Sequence, residues 1–516
     1  MSAAVVMMCL TVWTSVAASG AQEVAEGFSP LQATGYADAI GKAILFFEGQ
    51  RSGKLPSGQR VTWRGDSALS DGRLENVNLV GGYYDAGDNV KFVWPMSFSV
   101  TLLSMALVEY GSQVAAASQL GNLRTAIRWG RTSFYAPTHL RQHSTLRSTT
   151  LSPSLSLSRS RYGNSDHQCW ERPEDMDTPR TLSKITPSSP GTEAAADAAA
   201  ALASAYIVFR GVDANYSANL LAKSRTLFDF ADKYRGSYQK SCPFYCSYSG
   251  FQDELLWAAA WLYKATKESR FLRFLTDNQG WSTRMNEFSW DNKYAGAQVL
   301  LAKVLSLLRR RATGLARYKS DADSFVCSLM PRSSSRQIRT TPGGLLFTRD
   351  NSNIQYVASA TFLLSLHART TSSAGGVRCG STAITASEIS AFAKSQVDYI
   401  LGKNPLGISY MAGYGQRYPT QVHHRGASIP SIKVLPGKVS CGGGFSTWFN
   451  APRPNPNVHV GAIDIRSDYS HLEPTTYINA AFVGAVAPFV GSSTILQHGY
   501  PGVLSTTSEF QDTCSA

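Results

Sequence analysis

The sequence is poor in charge and carries no long block of one sign. Charged residues make up 16% of the chain, and no long run of Lys or Arg accounts for the formal net charge of +13. Part of the positive charge comes from arginines in residues 131–162, a segment without any acidic residue. Because nucleic-acid binding needs a concentrated basic surface, we expect no nucleic-acid partner.

Long apolar runs are missing after the N-terminus. A membrane-spanning helix needs about 20 consecutive apolar residues, so we expect no transmembrane anchor. Residues 1–21 combine an apolar stretch with a following run of small residues, which predicts a secretory signal peptide. We therefore expect a secreted, extracellular protein in which residues 22–516 form a single domain.

Cysteine is also sparse, with 8 residues in the whole chain. So few cysteines do not predict a disulfide scaffold in a chain of this length. Cys242 and Cys246 are close enough to bridge if the backbone turns between them. Their spacing has no second Cys pair to complete a zinc site, and loss of Cys9 with the signal peptide leaves an odd number.

Several catalytic motifs are absent. The sequence has no phosphate-binding loop, no dinucleotide-binding glycine pattern and no G-x-S-x-G elbow, which argues against kinases, Rossmann enzymes and serine hydrolases. It also has no H-E-x-x-H pattern, and adjacent side chains such as His423 and His424 rarely share one ion. We therefore expect neither a bound metal nor a cofactor.

Helical periodicity dominates what is present. Apolar residues recur at three- and four-residue spacing with frequent Ala, whereas alternating strand patterns are rare and short. The pattern predicts an all-α fold in one large domain, with the chemistry placed in the long loops between helices. The predicted helices cover residues 36–47, 97–111, 193–209, 219–234, 252–267, 293–309, 354–368, 385–402 and 474–490.

Residues 131–162 depart from this pattern. They are rich in Ser and Arg, and they show neither the helical nor the strand patterning that would fill a core. One interpretation is a disordered basic surface loop. Another is a reading-frame error in the gene, because ordered-looking sequence resumes abruptly at Gly163.

The first of three chemically rich loops covers residues 81–92. Asp85 and Asp88 stand on either side of Gly87 in a predicted turn, with both carboxylates on one side. Two nearby Asp residues are commonly turn formers. The apolar and aromatic neighbours favour a functional role, since a half-buried carboxylate has a raised pKa and can act as a base near neutral pH.

The second loop, residues 164–180, combines His167 and Trp170 with several acidic residues. A salt-bridged surface loop would explain the charges, but an exposed Trp favours a binding role. The third loop, residues 413–430, contains His423, His424 and Arg425.

Glu473 stands just before the last predicted helix. An acid at that position is commonly a helix cap, and the positive end of the helix would lower its pKa. The pattern alone favours this capping interpretation over a catalytic one.

Together these loops resemble the plant-type secreted endoglucanases of glycoside hydrolase family 9. The resemblance runs from about residue 34 to about residue 507 and rests on many long runs in one order. It implies an (α/α)6 barrel that cleaves β-1,4-glucan with inversion at the anomeric carbon, and we expect a monomer. The matching runs include LVGGYYDAGDNVKF, GNSDHQCWERPEDMDTPRT, FQDELLWAAAWLYKAT, FSWDNKYAGAQVLLAK, YPTQVHHRGASIPS and RSDYSHLEPTTYINAA.

The resemblance also implies roles for individual residues. Asp88 matches the general base, and Asp85 would help to hold the attacking water. Glu473 matches the acid, which must stay protonated until it protonates the leaving oxygen, so its surroundings should offset the effect of the helix end. Inverting enzymes hold the two carboxyls about 6.5–9.5 Å apart to leave room for the water. The positions that match substrate-binding residues are His167, Trp170, Trp257, Trp290, His423 and Arg425.

The chain departs from the family pattern shortly before Glu473. The family has a Gly-Gly-Pro-containing loop where this chain passes directly from Ile463 to Asp464. Ala462 stands in place of a family aromatic, and Asp464 matches the signature Asp. Asp464 and His423 are further candidate catalytic residues. The favoured function is an endo-β-1,4-glucanase acting on cell-wall glucan. The alternative is a non-catalytic glucan-binding protein with a damaged cleft, which would bind without turnover.

Overall fold

The computed structural model describes residues 33–130, 155–158, 163–308 and 313–491. The predicted signal peptide, most of residues 131–162 and Cys514 lie outside these ranges. Within the described residues there are fifteen α-helices: α1 Ala33–Gly49, α2 Val93–Ala116, α3 Leu120–Gly130, α4 Gly163–His167, α5 Thr192–Phe209, α6 Ala214–Lys233, α7 Gln252–Thr266, α8 Ser269–Asp277, α9 Tyr294–Leu307, α10 Ala316–Leu329, α11 Asn353–Thr371, α12 Ala386–Ile400, α13 Arg425–Ser428, α14 Cys441–Gly444 and α15 Thr476–Val486.

Six of these helices form a closed inner ring. Around the ring, α2 packs against α5, α5 against α7, α7 against α9, α9 against α11, α11 against α15, and α15 against α2. Each inner helix also packs against an outer one, namely α3, α6, α8, α10, α12 and α1 in the same order. The fold is therefore an (α/α)6 barrel, which confirms the all-α prediction.

The inner helices are buried on almost every side, and their sequences show why. Helix α5 reads TEAAADAAAALASAYIVF, and its run from Thr192 to Ala205 is buried at every position. Alanine has the highest helix propensity and the smallest side chain that still fills space, so six helices can approach closely around one axis. Helices α2 and α5 are long and apolar enough to cross a membrane. However, 94% and 89% of their most apolar 18-residue stretches are buried inside the barrel.

Side-chain caps fix where several helices begin. Thr385 and Glu388 form a reciprocal capping box at the start of α12. The hydroxyl of Thr475 accepts a hydrogen bond from the backbone N–H of Ile478 at the start of α15. Caps of this kind satisfy backbone N–H groups that have no partner within the helix.

Strands are few and short within the described residues. The six strands form three antiparallel pairs, and the first pair runs from Leu155 opposite Ile185 to Ser158 opposite Leu182. The expectation of no strand in residues 131–162 is therefore wrong for 155–158. Leu and Ser alternate there, and alternation is the period of a strand. The strands are β1 Leu155–Ser158, β2 Leu182–Ile185, β3 Arg339–Thr340, β4 Leu346–Phe347, β5 Val377–Cys379 and β6 Thr382–Ile384.

Three disulfides join the described cysteines. The spacing of Cys242 and Cys246 permits a bridge between them, and the structure contains this bridge. The other two bridges join Cys169 to Cys441 and Cys327 to Cys379, with sequence separations of 272 and 52 residues. Bridges between such distant residues cannot be paired from sequence alone.

Candidate active site

The candidate site lies at the end of the barrel where the inner helices begin. Asp85 and Asp88 precede α2, Tyr245 precedes α7, Trp290 precedes α9 and Glu473 precedes α15. The hydroxyl of Tyr245 donates to Asp85, and the ring of Tyr245 lies 4.7 Å from that of Trp290. The backbone N–H of Thr476 donates to the carbonyl of Asp85 at 2.9 Å. The loops that carry the predicted carboxylates therefore meet at one mouth of the barrel.

Asp85 and Asp88 occupy a buried turn. They are 3% and 5% exposed, and the backbone N–H of Ala86 donates to Oδ1 of Asp88 at 3.2 Å. A Cβ atom at Gly87 would lie 1.9 Å from the carbonyl oxygen of His423, so this close approach of two backbones requires glycine. The turn thus places both carboxylates against the loop that carries His423.

Burial gives both carboxyls unusual pKa values. The pKa of Asp85 is raised well above the usual range by burial and by the charge of Asp88. The pKa of Asp88 is raised by burial, although the charges of His167 and Arg425 oppose the rise. The charge of Asp88 thus opposes the ionisation of Asp85.

Tyr245 is a site residue that the sequence analysis missed. Its hydroxyl donates to Oδ2 of Asp85, and this hydrogen bond favours the ionised carboxylate. Tyr245 lies between the two cysteines of the short disulfide loop, in the stretch CPFYC. The signal in the sequence was a pair of aromatic residues held by a local disulfide, but nothing in it pointed to Asp85.

Glu473 has the properties of an acid that is protonated near neutral pH. Burial and the charge of Asp88 raise its pKa to about 7, and Arg425 opposes this rise. The capping interpretation of Glu473 is wrong, because Thr475 caps α15 instead. Burial and the charge of Asp88 thus raise the pKa of Glu473, although the residue lies just before α15.

His167 extends the site toward the solvent. Its Nε2 lies 3.5 Å from Oδ2 of Asp88, and its ring stacks on Phe244 at 4.0 Å. The neighbouring Asp166 is buried and accepts a hydrogen bond from the backbone N–H of Asn89 at 3.2 Å. The second loop thus contributes both an exposed imidazole and a buried carboxylate to the wall around Asp88.

Arg425 and His423 are held in place by the second loop. The guanidinium of Arg425 donates to the carbonyls of Cys169 and Asp166 at 2.6 and 2.8 Å. The ring of His423 stacks on that of Tyr469 at 4.6 Å, and burial together with Arg425 lowers the pKa of His423 to about 3. His423 is therefore neutral near neutral pH.

Trp170 lies behind these residues. It is 2% exposed, its indole N–H donates to the hydroxyl of Ser428 at 2.8 Å, and the guanidinium of Arg425 lies 5.2 Å from the centre of its ring. Its ring is therefore covered by protein on both sides. Trp170 supports Arg425 and His423 and has no free face for a sugar, contrary to the predicted substrate-binding role.

The two remaining tryptophans are placed differently. Trp290 is half-buried at the mouth, with its ring nearly perpendicular to the rings of Trp94 and Tyr245. Trp257 is fully buried in the core, edge-to-face with Trp261 and Phe288 at 5.6 and 5.8 Å. The structure thus brings Trp290 into the site, and it does not bring Trp257 there. Trp257 fills the barrel because it lies within a helix that is buried on all sides.

Asp464 is fixed in spite of the shortened loop. Its carboxylate accepts the backbone N–H of His423, and its own N–H donates to the carbonyl of Tyr410 at 3.1 Å. The neighbouring Ala462 accepts from the N–H of Ala412 at 2.8 Å. The direct connection between Ile463 and Asp464 therefore lies along residues 410–412. Asp464 positions the backbone of His423 and does not itself line the open cleft, since it is 0% exposed.

A buried ionic cluster anchors the loop of Asp85 and Asp88. Lys91 lies 2.5 Å from Asp71, and its Nζ donates to the carbonyls of Leu79 and Gly81 at 2.9 Å. Arg180 makes a bidentate contact with Asp71 at 2.8 and 2.9 Å, and it donates to the carbonyl of Asn89 at 2.6 Å. Asp71 thus connects both ends of residues 79–91.

Glycoside hydrolases cleave their substrates with a pair of carboxyl groups, and this site brings such carboxyls together at the mouth of a helical barrel. Comparison with known proteins makes this assignment specific, because the profile of Glycosyl hydrolase family 9 matches residues 36–486. The chain belongs to this family.

Plant endoglucanases share most of the sequence. The chain is 60% identical to endoglucanase 20 of Oryza sativa subsp. japonica over 485 residues, which cover 91% of each chain. It is 59% identical to an endoglucanase of Phaseolus vulgaris, with 89% of this chain and 92% of that protein aligned. Among solved structures, the endoglucanase of the termite Nasutitermes takasagoensis aligns with a TM-score of 0.74 at 37% identity, covering 88% of this chain and 98% of the termite chain.

Proposed function

We propose that this chain hydrolyses internal β-1,4-glucosidic bonds of cell-wall glucan with Asp88 as the general base and Glu473 as the general acid. The chain is an endoglucanase of the cellulase type, as its family and its 60% identity to a plant endoglucanase establish. The assignment of the two roles rests chiefly on one observation. The carboxyl of Glu473 has a pKa of about 7 and is coupled electrostatically to Asp88.

The acid has to carry a proton at the start of the reaction. With a pKa of about 7, Glu473 is mostly protonated in mildly acidic solution and can give that proton to the leaving glycosidic oxygen. The C–O bond then breaks with the electron pair going to the leaving oxygen, so the departing chain leaves as a neutral alcohol. Burial is the main cause of the raised pKa, as for other catalytic acids.

The base has to take a proton from water on the opposite face of the sugar. Asp88 accepts that proton as the water oxygen bonds to the anomeric carbon, which inverts the configuration there. Asp85 shares the water, and Tyr245 keeps the carboxylate of Asp85 oriented through its hydrogen bond. After one turnover Asp88 carries a proton and Glu473 has lost one, and exchange with solvent restores both.

The sugar next to the cleaved bond is held by the wall of the second and third loops. Neutral His423 and the cation of Arg425 supply donors for hydroxyl groups, and His167 stands at the exposed rim. Trp290 offers an aromatic face at the mouth, which suits the apolar C–H face of a β-linked glucose. We place the mature enzyme outside the cell as a monomer, in keeping with the predicted signal peptide at residues 1–21.

A non-catalytic glucan-binding protein is not favoured. That alternative requires that the absence of the family loop before Asp464 disturbs the position of the catalytic carboxyls. Asp85, Asp88 and Glu473 instead meet at the mouth of the barrel, and Asp464 is held by backbone contacts to residues 410–412. These contacts support the proposal that the shortened segment does not disturb the acid and the base.

Proton NMR of the first products of a soluble β-1,4-glucan tests this mechanism. An inverting enzyme releases reducing ends in the α configuration before mutarotation, and an endo-acting one lowers the viscosity early. Early β-anomer would show a retaining mechanism and would contradict the roles given to Asp88 and Glu473. Binding without either signal would favour the glucan-binding alternative.

A further inference from the structure

Three metal-ligating side chains meet at the wall of the candidate site. One ligand atom from each of Asp88, Asp166 and His167 lies within 4.8 Å of the other two. Oδ2 of Asp88 and Nε2 of His167 are 3.5 Å apart. Two ligands of a tetrahedral zinc ion, bound at about 2.0–2.2 Å, lie roughly 3.4 Å from each other. This pair therefore already has the spacing of two ligands on one ion.

Asp166 supplies an independent observation. Its Oδ2 accepts the N–H of Asn89 at 3.2 Å and lies 3.6 Å from Nη1 of Arg425. Its Oδ1 is buried and has no hydrogen-bond partner among the residues that the structure describes, and the side chain is only 5% exposed. A buried carboxylate oxygen without a donor is costly, and an ion bound to it would remove that cost.

The ligand types select the kind of ion. Two carboxylates with one imidazole suit Zn²⁺ or Cu²⁺, whereas Ca²⁺ and Mg²⁺ prefer oxygen ligands alone. Three protein ligands leave at least one position for water, as in other accessible zinc sites. The guanidinium of Arg425 repels a second cation, so we expect a site that fills at raised metal concentration.

We propose that Asp88, Asp166 and His167 form a binding site for a divalent transition-metal ion and that the bound ion inhibits the enzyme. The inhibition rests on the proposed role of Asp88 as the general base. An ion bound to Asp88 occupies the electron pair that would accept the proton of the attacking water. No bond of the substrate is broken or formed by the ion, and its removal restores the carboxylate.

Zinc titration of the full chain tests the site in two independent ways. Isothermal calorimetry measures zinc binding, and reducing-end release from a soluble β-1,4-glucan measures inhibition, relative to each variant's own zinc-free rate. We expect inhibition that EDTA reverses. We also expect Asp166→Asn to weaken both zinc affinity and inhibition by roughly tenfold or more, as loss of an anionic ligand should.

A second ligand variant and a matched control test whether zinc binds at this cluster. His167→Ala changes an exposed side chain and should also weaken zinc binding, so the test does not depend on the folding of Asp166→Asn. His471→Ala removes another His–carboxylate pair, exposed on the surface, in which Nδ1 of His471 lies 2.5 Å from Asp468. That pair offers only two ligands, and its loss should change neither zinc affinity nor inhibition.

The possible outcomes distinguish zinc binding at this cluster from inhibition by the bound ion. Unchanged zinc affinity in both Asp166→Asn and His167→Ala would overturn the site, and so would loss of binding in His471→Ala. Zinc binding that depends on Asp166 and His167 without any inhibition would leave the site standing. That result would overturn the inhibition, whereas the role of Asp88 as the base is tested separately by the anomeric configuration of the first products.

Discussion

At the scale of single residues, the hydroxyl of Tyr245 favours the ionised form of Asp85. Its hydrogen bond lowers the pKa of Asp85, against burial and the charge of Asp88, which raise it. Tyr245→Phe removes the donor, so the pKa of Asp85 rises further. We expect kcat to fall roughly tenfold and the acidic limb of the pH–rate profile to move to higher pH, with KM little changed.

Tyr318→Phe is the matched control for this change. Tyr318 is also fully buried, and its hydroxyl donates to the carbonyl of Leu275 at 2.8 Å in the outer layer. We expect its loss to cost about 1 kcal/mol of stability and to leave the pH–rate profile in place. Equal shifts of the profile in both variants would show that Tyr245 acts only through stability.

The sequence predicts some residues of the candidate site and misses others. Asp85, Asp88 and Glu473 carry a pattern of spacing that the family shares, so a local motif was enough to locate them. Tyr245 could not be located, because its partner lies 160 positions away in the chain. The predicted substrate-binding role of Trp257 is wrong, because the sequence motif does not show whether this side chain lies at the mouth or in the core.

At the scale of elements, Asp71 controls the loop that carries the candidate base. Burial would raise the pKa of Asp71, but Lys91 and Arg180 lower it to about 2 from 3.8. Because the folded pKa lies below the unfolded one, the carboxylate contributes about 2 kcal/mol above pH 4. That contribution is lost as the pH falls from about 4 toward 2.

Asp71→Asn should therefore destabilise the protein near neutral pH and lower kcat, since the loop loses both of its anchors. We expect a loss of about 3–5 kcal/mol, because Lys91 is left buried without its partner. Thermal unfolding at pH 6 measures the effect. Asp38→Asn, which breaks an exposed pair with Lys42, should change stability by less than about 1 kcal/mol. Similar effects of the two changes would show that the Asp71 cluster does not anchor the loop.

The helices themselves were largely predictable from the sequence, because buried Ala-rich segments give a strong periodic signal. All nine predicted helices are present, with ends that differ by a few residues. The periodicity does not predict α3, α8 and α10, which belong to the outer layer. Helix α8 has only 9 residues and buries two of them, Phe271 and Leu275, so its apolar pattern is too short to stand out.

At the scale of the whole molecule, one buried lysine joins three inner helices. Nζ of Lys293, just before α9, lies 3.1 Å from Asp197 in α5 and 3.2 Å from Glu254 in α7. All three side chains are 0% exposed. Burial would lower the pKa of Lys293, but Asp197 and Glu254 raise it, so the lysine remains charged. Ionic contacts as well as apolar packing thus join these three helices of the ring.

Lys293→Met should leave two buried carboxyls without their cation. We expect a loss of about 3–5 kcal/mol in the free energy of unfolding, measured by thermal unfolding near neutral pH. Lys319→Met removes a partly exposed lysine paired with Asp323 and should cost less than about 1 kcal/mol. A Lys293→Met protein as stable as the Lys319→Met protein would contradict the role of this cluster in the ring.

The order of helices around the ring was not predictable from the residues alone. Periodicity predicts that a helix buries a face, but it does not predict which neighbour covers that face. The contact between α2 and α15, which closes the ring, joins segments more than three hundred residues apart. The resemblance to family 9 supplied this arrangement, and the structure confirms it.

Replacement of Glu473 is the most direct test of its proposed role as the general acid. The measurement is reducing-end release from a soluble β-1,4-glucan across pH, for the unmodified chain, Glu473→Gln and Glu193→Gln. Glu193 is a matched control, because burial also raises its pKa to about 7 while its carboxylate accepts the backbone N–H of Tyr238.

We expect Glu473→Gln to lower kcat by about 10²–10⁴ and Glu193→Gln to keep most of the activity. In the unmodified chain the rate should fall as the pH rises through about 7, where Glu473 loses its proton. A Glu473→Gln protein with near-normal kcat, or an equal loss in Glu193→Gln, would contradict the assignment of Glu473 as the acid.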